Sequence, residues 1–190
     1  MHAHDRRQTH LRSALFVDFD NVYIRLKQQD ESLARQFASK PQLWLEWLEA
    51  RLATAEGNGV AHPERRILVR RCYLNPKEFG KYRPYLIGRG FETIDCPALT
   101  AQGKTSADIY MVLDMIELLS QSTHFDEFII MSADADFTPV LHKLRKCDRR
   151  TVVLAAGPAA PAYSSSSDTF VCQDEFVEAL AGFSETNGRA

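Results

Sequence analysis

The sequence lacks any apolar run approaching the roughly 20 residues that a membrane-spanning helix needs. The residues before Ala14 also contain no apolar stretch of the kind that defines a secretory signal peptide. No two cysteines have the CxxC spacing, which argues against both a zinc knuckle and a disulfide framework. The net charge of −2 excludes a uniformly basic protein that coats nucleic acid. From these absences we expect a cytoplasmic chain with no membrane partner.

The composition is that of an ordinary globular protein, since 45% of the 190 residues are apolar and 25% are charged. A chain of this length buries roughly 70% of the surface that it exposes when unfolded, which is enough for a substantial core. We expect a single domain over residues 13–181, with a flexible polar tail at residues 1–12 and a second tail at residues 182–190.

Short apolar segments alternate with helical patterns along the chain. The unbroken run Ala14–Val17 is typical of a strand that is covered on both faces. Ser106–Leu119 is the clearest helix, and because it is apolar around most of its circumference we expect it to be largely buried. This alternation predicts a three-layer, Rossmann-like α/β domain with a central, mainly parallel sheet of about five strands. The other predicted strands are Ile67–Leu74, Phe91–Ile94, Phe125–Met131 and Thr151–Ala155.

Acidic residues fall where predicted strands end. The sequence Asp18-Phe19-Asp20-Asn21 follows the first strand, Ser132-Ala133-Asp134-Ala135-Asp136 follows the fourth, and Asp108 lies in the first turn of the buried helix. If the first and fourth strands are neighbours, these acids meet at one crevice outside the carboxyl ends of the strands. Each acid taken alone has a simpler explanation as a helix cap, but two acids spaced i and i+2 at both strand ends are more than capping requires.

A cluster of carboxylates is costly, because the charges repel one another and burial raises their pKa values further. A bound cation removes that cost. Oxygen ligands without a neighbouring His or Cys favour Mg²⁺ or Mn²⁺ over zinc, and such ions on an acidic floor suit phosphate-ester chemistry.

The segments LFVDFDN, KTSADI and IIMSADADF, in this order, resemble the NYN domain of the PIN-like ribonuclease superfamily, including its bacterial LabA-like (DUF88) group. The resemblance implies a PIN-like fold and a hydrolase that cleaves RNA, with Mg²⁺ or Mn²⁺, to leave 5′-phosphate and 3′-hydroxyl ends. Ala133 and Ala135 depart from the family by standing where glycine is usual or frequent. The residues that match the catalytic set are Asp18, Asn21, Asp108, Asp134 and Asp136, of which the four acids are the expected metal ligands, with Asp20 as an additional candidate.

Two other functions stay open. DFDNV also resembles the first motif of haloacid-dehalogenase-type phosphatases, in which Asp18 is the nucleophile and Asp20 the acid/base. No acidic pair follows Ser132 and the later lysines at a strand end, as that family requires. The second alternative is a non-catalytic RNA-binding or protein-interaction module on the same fold.

Basic residues cluster in two stretches. Residues 64–89 contain eight Lys or Arg against two acids, and residues 143–150 contain five against one. Aromatic residues interleave the first stretch (Tyr73, Phe79, Tyr82 and Tyr85), a pattern found in proteins that bind single-stranded nucleic acid. The opposing interpretation is that the apolar faces of Tyr82 and Tyr85 belong to the core and that the cations form a solvated surface. Single-stranded RNA is the expected partner, a homodimer stays open, and the candidate phosphate contacts are Lys104, Arg70, Arg71 and Lys143.

Overall fold

The computed structural model describes residues 10–51, 64–98 and 106–186. Within these ranges the strands are β1 (His10–Asp18), β2 (Glu64–Leu74), β3 (Glu92–Asp95), β4 (Glu127–Met131), β5 (Arg150–Leu154) and β6 (Thr169–Val171). They form one sheet in the order β3-β2-β1-β4-β5-β6, and every neighbouring pair is parallel. The predicted parallel sheet is confirmed.

Helices cover both faces of this sheet. In the described ranges they are α1 (Phe19–Gln29), α2 (Glu31–Ser39), α3 (Pro41–Arg51), α4 (Pro76–Phe79), α5 (Arg83–Ile87), α6 (Ala107–Leu119), α7 (Thr138–Lys146), α8 (Pro161–Ser164) and α9 (Gln173–Thr186). The apolar side chains of α1, α2, α3, α5 and α9 form one core with the sheet, and those of α6, α7 and α8 form a second core on its other face. The predicted three-layer architecture is therefore confirmed.

Strand β1 shows why an unbroken apolar run suits the centre of such a sheet. Leu15 and Val17 belong to the core beneath α1, whereas Ala14 and Phe16 belong to the core beneath α6. Successive side chains point to opposite faces of a strand, so a strand covered on both sides must be apolar at every position. All four side chains are completely buried.

Some boundaries differ from the prediction. Strand β1 begins at His10, so residues 10–12, predicted as tail, pair with residues 64–66 of β2. Strand β6 was not predicted, and α8 lies within a serine-rich and proline-rich stretch that reads as a loop. Helix α9 continues to Thr186, beyond the predicted end of the domain at residue 181.

Helix α6 is less buried than its apolar sequence predicts. Met111, Met115 and other residues of one face pack into the core, but Ile109 and Leu113 are each 59% exposed, and Tyr110 is 45% exposed. A helix in an outer layer contacts the sheet along one face, and nothing in the amino-acid pattern says whether another element covers the opposite face. The prediction of a largely buried helix is wrong for this outer face.

A buried ion pair ties together the amino-terminal ends of the central strands. Glu127 of β4 accepts hydrogen bonds from Arg65 Nε at 2.6 Å and Nη2 at 2.7 Å, and from Ser13 Oγ at 2.8 Å. Arg65 Nη1 also donates to the carbonyl of Leu48 at 2.7 Å. At least one residue of the first basic stretch therefore has a structural role. None of the helices in the described ranges combines the length and the apolarity needed to cross a membrane.

Candidate functional site

The winding direction of the sheet reverses between β1 and β4. These strands are neighbours, with Ser13 to Val17 paired to Glu127 to Met131, and the chain crosses from β1 to β2 on one side and from β4 to β5 on the other. In sheets of this type the crevice outside the carboxyl ends at such a reversal is the usual ligand site. Asp18 is the last residue of β1 and Ser132 directly follows β4, so both predicted motifs open on this crevice.

Asp18 joins the two motifs through its side chain. Its Oδ1 accepts the backbone N–H of Asn21 at 3.3 Å and so caps α1, while its Oδ2 accepts the hydroxyl of Ser132 at 3.0 Å. The same Ser132 oxygen accepts the backbone N–H of Asp134 at 3.2 Å. A short chain of hydrogen bonds therefore runs from the end of β1 to the acid that follows β4.

Asn21 makes a second connection across the crevice. Its side-chain oxygen accepts the backbone N–H of Ala133 at 3.1 Å, which fixes the loop after β4 against the first turn of α1. In the structure its amide oxygen holds the loop that carries Asp134.

The electrostatics of the crevice are unfavourable for charged carboxylates. The Asp18 side chain is buried, and burial raises its pKa to about 7, with further increases from the charges of Asp20 and Asp134. Burial also raises the pKa of Asp20 to about 6, although the backbone N–H of Asn75, at 3.0 Å from its Oδ1, favours the charged form. Neighbouring acids thus destabilise the ionised site, as the sequence predicts for an acidic cluster.

The remaining predicted acids lie beside Asp18 and Asp20. Asp134 Oδ1 accepts the backbone N–H of Asp136 at 2.9 Å and caps a single 3₁₀ turn, Ala135–Phe137. Asp136 is exposed, and together with Asp108 of α6 it lines an adjoining pocket. Burial raises the pKa of the Cys96 thiol, and the charges of Asp20, Asp18 and Asp108 raise it further.

Ala133 and Ala135, which stand where the family has glycine, cause no backbone strain. Among the described non-glycine residues only Asp148 has a positive φ, at 57°, so neither Ala133 nor Ala135 adopts a conformation that requires glycine. Alanine at these two positions is therefore compatible with the observed backbone.

The donor chemistry of the crevice fits a hard divalent cation. Ser132 links the side chain of Asp18 to the backbone N–H of Asp134. The negative charges of the two acids repel each other, and a bound cation removes that cost in free energy. Across residues 10–51, 64–98 and 106–186, no three His, Cys, Asp or Glu side chains are grouped so that they could hold a metal ion. Mg²⁺ is usually held by one or two carboxylates together with waters and substrate phosphates, so the acidic pair of Asp18 and Asp134 meets its requirement.

The two candidate arginines form ion pairs with carboxylates other than Asp18 and Asp134. Arg70 and Arg71 are adjacent in β2, so their side chains leave opposite faces of the sheet. Arg70 donates to Glu49 of α3 at 2.9 Å, and Arg71 contacts Glu92 at 2.8 Å and Asp114 at 3.2 Å. Both guanidinium groups therefore have carboxylate partners, and their contacts are structural.

The two candidate lysines and the aromatics have different outcomes. Lys143 is exposed on α7, and Lys104 lies outside the described residues. Phe79 and Tyr82 pack with Phe19 beneath α1, so the interpretation as core is confirmed for Tyr82. Of the four aromatics in the basic stretch, the structure leaves Tyr85 exposed, at 49%.

Three residues in or near the site were not predicted from the sequence. Ser132 was visible in the motif only as the residue before the acids, and the contact from the Asn75 backbone has no sequence signal. Arg25 lies four residues after Asn21 and hence on the same face of α1, a spacing that could have been noticed. A Cβ at Gly157, in the loop after β5, would lie 2.7 Å from Arg25 Cδ, so glycine allows the arginine to pack over that loop.

Comparison with known proteins identifies a family and a related fold. Residues 12–178 match the NYN domain family. No curated protein matches the sequence. A crystal structure of a protein of unknown function from Vibrio parahaemolyticus RIMD 2210633 is 20% identical, with a TM-score of 0.61, and the alignment covers 93% of this chain and 98% of that chain. At this level of identity the similarity concerns the fold alone.

Proposed function

The chain belongs to the NYN domain family, whose members are generally nucleases that use divalent metal ions, and from this premise we propose that it is a metal-dependent ribonuclease. It hydrolyses phosphodiester bonds of single-stranded RNA with Mg²⁺ or Mn²⁺. The observation that carries the proposal is the link from Asp18 through Ser132 to Asp134 at the reversal of the sheet.

Each residue has a defined task in this proposal. A bound divalent ion supplies positive charge to the phosphoryl oxygens and lowers the pKa of water. Asp18 and Asp134 would hold that ion, because Ser132 links the side chain of Asp18 to the backbone of Asp134 and the charge of Asp134 helps to raise the pKa of Asp18. Asn21 keeps the loop that carries Asp134 in place, and Ser132 orients Asp18. Asp108 and Asp136 lie to one side as further ligands or as acceptors that orient the attacking water.

The surroundings of the crevice suit an anionic strand. Asn75, whose N–H contacts Asp20, is the N-cap of α4, so the part of the first basic stretch that follows β2 begins at the edge of the site. Lys77 and Lys81 are exposed within the two turns that follow. Exposed cations next to an acidic pair attract the phosphates that flank the bond to be cleaved, without neutralising the pair itself.

One observation favours a second candidate, a non-catalytic RNA-binding module on the same fold. Within the part of the chain that the structure describes, no three potential ligands are grouped for a metal. Such a module binds RNA with or without a divalent ion and leaves the strand intact.

A cleavage assay separates the two candidates. Single-stranded RNA, duplex RNA and single-stranded DNA, each end-labelled, are incubated with the protein in Mn²⁺ or in EDTA. We expect cleavage of single-stranded RNA in Mn²⁺ alone, and a fall of roughly 100-fold or more in rate for Asp134→Asn. The matched control is Asp148→Asn, an exposed acid in a left-handed conformation that asparagine tolerates.

Each result decides between the candidates. Activity of Asp134→Asn equal to that of the control removes the acidic pair from the reaction. Binding of the labelled RNA by gel shift, with no cleavage in Mg²⁺ or Mn²⁺, establishes the non-catalytic module.

A further inference from the structure

A pocket of about 220 Å³ lies beside Asp108 and Asp136, and its apolar walls have no role in the proposed chemistry. Its apolar lining comes from two elements, with Ile109, Val112 and Leu113 on α6 and Phe137 at the end of the 3₁₀ turn. Two carboxylates, Asp108 and Asp136, complete the lining. The pocket therefore combines apolar walls with hydrogen-bond acceptors that carry negative charge.

Two of these walls face solvent without cover. Ile109 and Leu113 are each 59% exposed, although the pattern of α6 predicts burial. Single exposed apolar residues are common on protein surfaces, but here the exposed side chains border a concave space beside candidate catalytic acids. This combination indicates a binding function for the outer face of α6.

We infer that this pocket binds a nucleobase of the RNA strand, in a nucleotide next to the bond that is cleaved. The inference rests on the proposed function, because it assigns part of the same substrate to the same site. It goes further by naming what holds the base and where.

The size and chemistry of the pocket support a base more than a whole nucleotide. A volume of 220 Å³ corresponds to roughly seven water molecules and lies below the roughly 300 Å³ at which pockets for drug-sized ligands begin. Planar bases have apolar faces that pack against aliphatic and aromatic side chains. Their edges carry N–H groups, which the carboxylates of Asp108 and Asp136 can accept, whereas the same charges repel a phosphate.

The charges also argue against a second copy of the chain as the occupant. A two-fold contact places the same patch of both copies face to face. Such a contact through Ile109 and Leu113 brings Asp108 and Asp136 of one copy towards those of the other. Like charges in an interface are unfavourable, so the apolar walls alone do not make this face self-complementary.

The test is NMR of the full chain labelled with ¹³C at the methyl groups of Ile, Leu and Val, in EDTA so that binding does not depend on metal. The probes are cytidine and adenosine, which carry a base without a phosphate, and ribose 5-phosphate, which carries the phosphate without a base. We expect the methyl signals of Ile109, Val112 and Leu113 to shift with both nucleosides and to stay unchanged with ribose 5-phosphate.

Two variants of α6 provide the contrast. Leu113→Ala removes an exposed wall of the pocket and is expected to weaken nucleoside binding roughly tenfold, from the apolar area lost. Tyr110→Ala removes a neighbouring exposed side chain that does not line the pocket, and is expected to leave the affinity unchanged. Both positions are exposed, so neither variant is expected to unfold the protein.

Three results overturn the inference. They are unchanged methyl signals at millimolar nucleoside, equal loss of affinity in the two variants, and methyl shifts on dilution of the protein alone, which identify a second copy as the occupant. Failure of the proposed function looks different. In that case single-stranded RNA is not cleaved in Mn²⁺, while the nucleosides still shift these methyl groups.

Discussion

Replacing Asp18 by asparagine is expected to stabilise the metal-free protein at alkaline pH. Asp18 is 8% exposed, and burial, followed by the charges of Asp20 and Asp134, raises its pKa from 3.8 to about 7. The folded state therefore binds this proton more tightly than the unfolded state does. The resulting stability is complete below about pH 3.8 and is lost as the pH rises through about 7.

The size of the effect follows from the difference in pKa. One pKa unit corresponds to about 1.4 kcal/mol, so ionised Asp18 costs the folded state on the order of 4 kcal/mol at pH 8. Asparagine removes the charge but forfeits part of the hydrogen bonding to Asn21 and Ser132, which costs about 1–2 kcal/mol. The expected net gain is about 2–3 kcal/mol at pH 8. Little or no net change is expected at pH 5, because protonating Asp18 in the folded state then costs only about 1.6 kcal/mol.

Urea unfolding at pH 5 and pH 8 in EDTA measures this gain. The control is Asp30→Asn, because Asp30 also caps a helix, accepting the N–H of Ser32, but is exposed and has a pKa that these hydrogen bonds lower. The control variant is expected to lose stability at both pH values. Addition of millimolar Mn²⁺ is expected to stabilise the wild type and not Asp18→Asn. A variant at Asp18 that is less stable than the wild type at pH 8 in EDTA would refute the account of the buried charge.

Three further predictions concern the frame around the site. Gly157→Ala is expected to lower the melting temperature, since the new Cβ would lie 2.7 Å from Arg25 Cδ, and Arg25→Ala in the same chain is expected to restore it in a thermal double-mutant cycle. Glu127→Gln leaves the buried Arg65 without its charge partner and is expected to cost about 3–5 kcal/mol in urea unfolding. Ala133→Gly is expected to cost about 0.5–1 kcal/mol without raising cleavage, because the position has no positive φ for glycine to relieve; a faster enzyme would contradict this.

Much of the fold could be predicted because its signals are local. The run Ala14–Val17 is apolar at consecutive positions, which occurs when a strand has a core on each face, and the structure provides two such cores. Strand β6 was missed because three residues, Thr169–Val171, carry almost no pattern. Their strand conformation comes from pairing with β5, which is a tertiary interaction.

The site likewise has parts that the sequence predicts and parts that it does not. Asp18 and the acids after β4 could be brought together in advance, because carboxyl ends of adjacent parallel strands share one edge. The partners of Arg70 and Arg71 could not, because the alternation of side chains separates them although they are neighbours in sequence. The sequence of a basic stretch gives its charge. Whether each cation faces solvent or a carboxylate depends on which element packs beside it.

Capping and ligand binding are not exclusive explanations of an acid at a strand end, and the two aspartate caps Asp18 and Asp30 show how to separate them. Both accept a backbone N–H at the start of a helix, at 3.3 Å and 2.6 Å. At Asp30, hydrogen bonds from the side chain and then from the backbone N–H of Ser32 lower the pKa, as expected for an exposed carboxylate that caps a helix. At Asp18 the same cap is outweighed by burial and by the neighbouring acids, so the helix gains a bond while the charge remains costly. A carboxylate kept at such a cost, where a neutral asparagine could also cap the helix, indicates that its negative charge serves a ligand, and a divalent cation is the ligand that removes the cost.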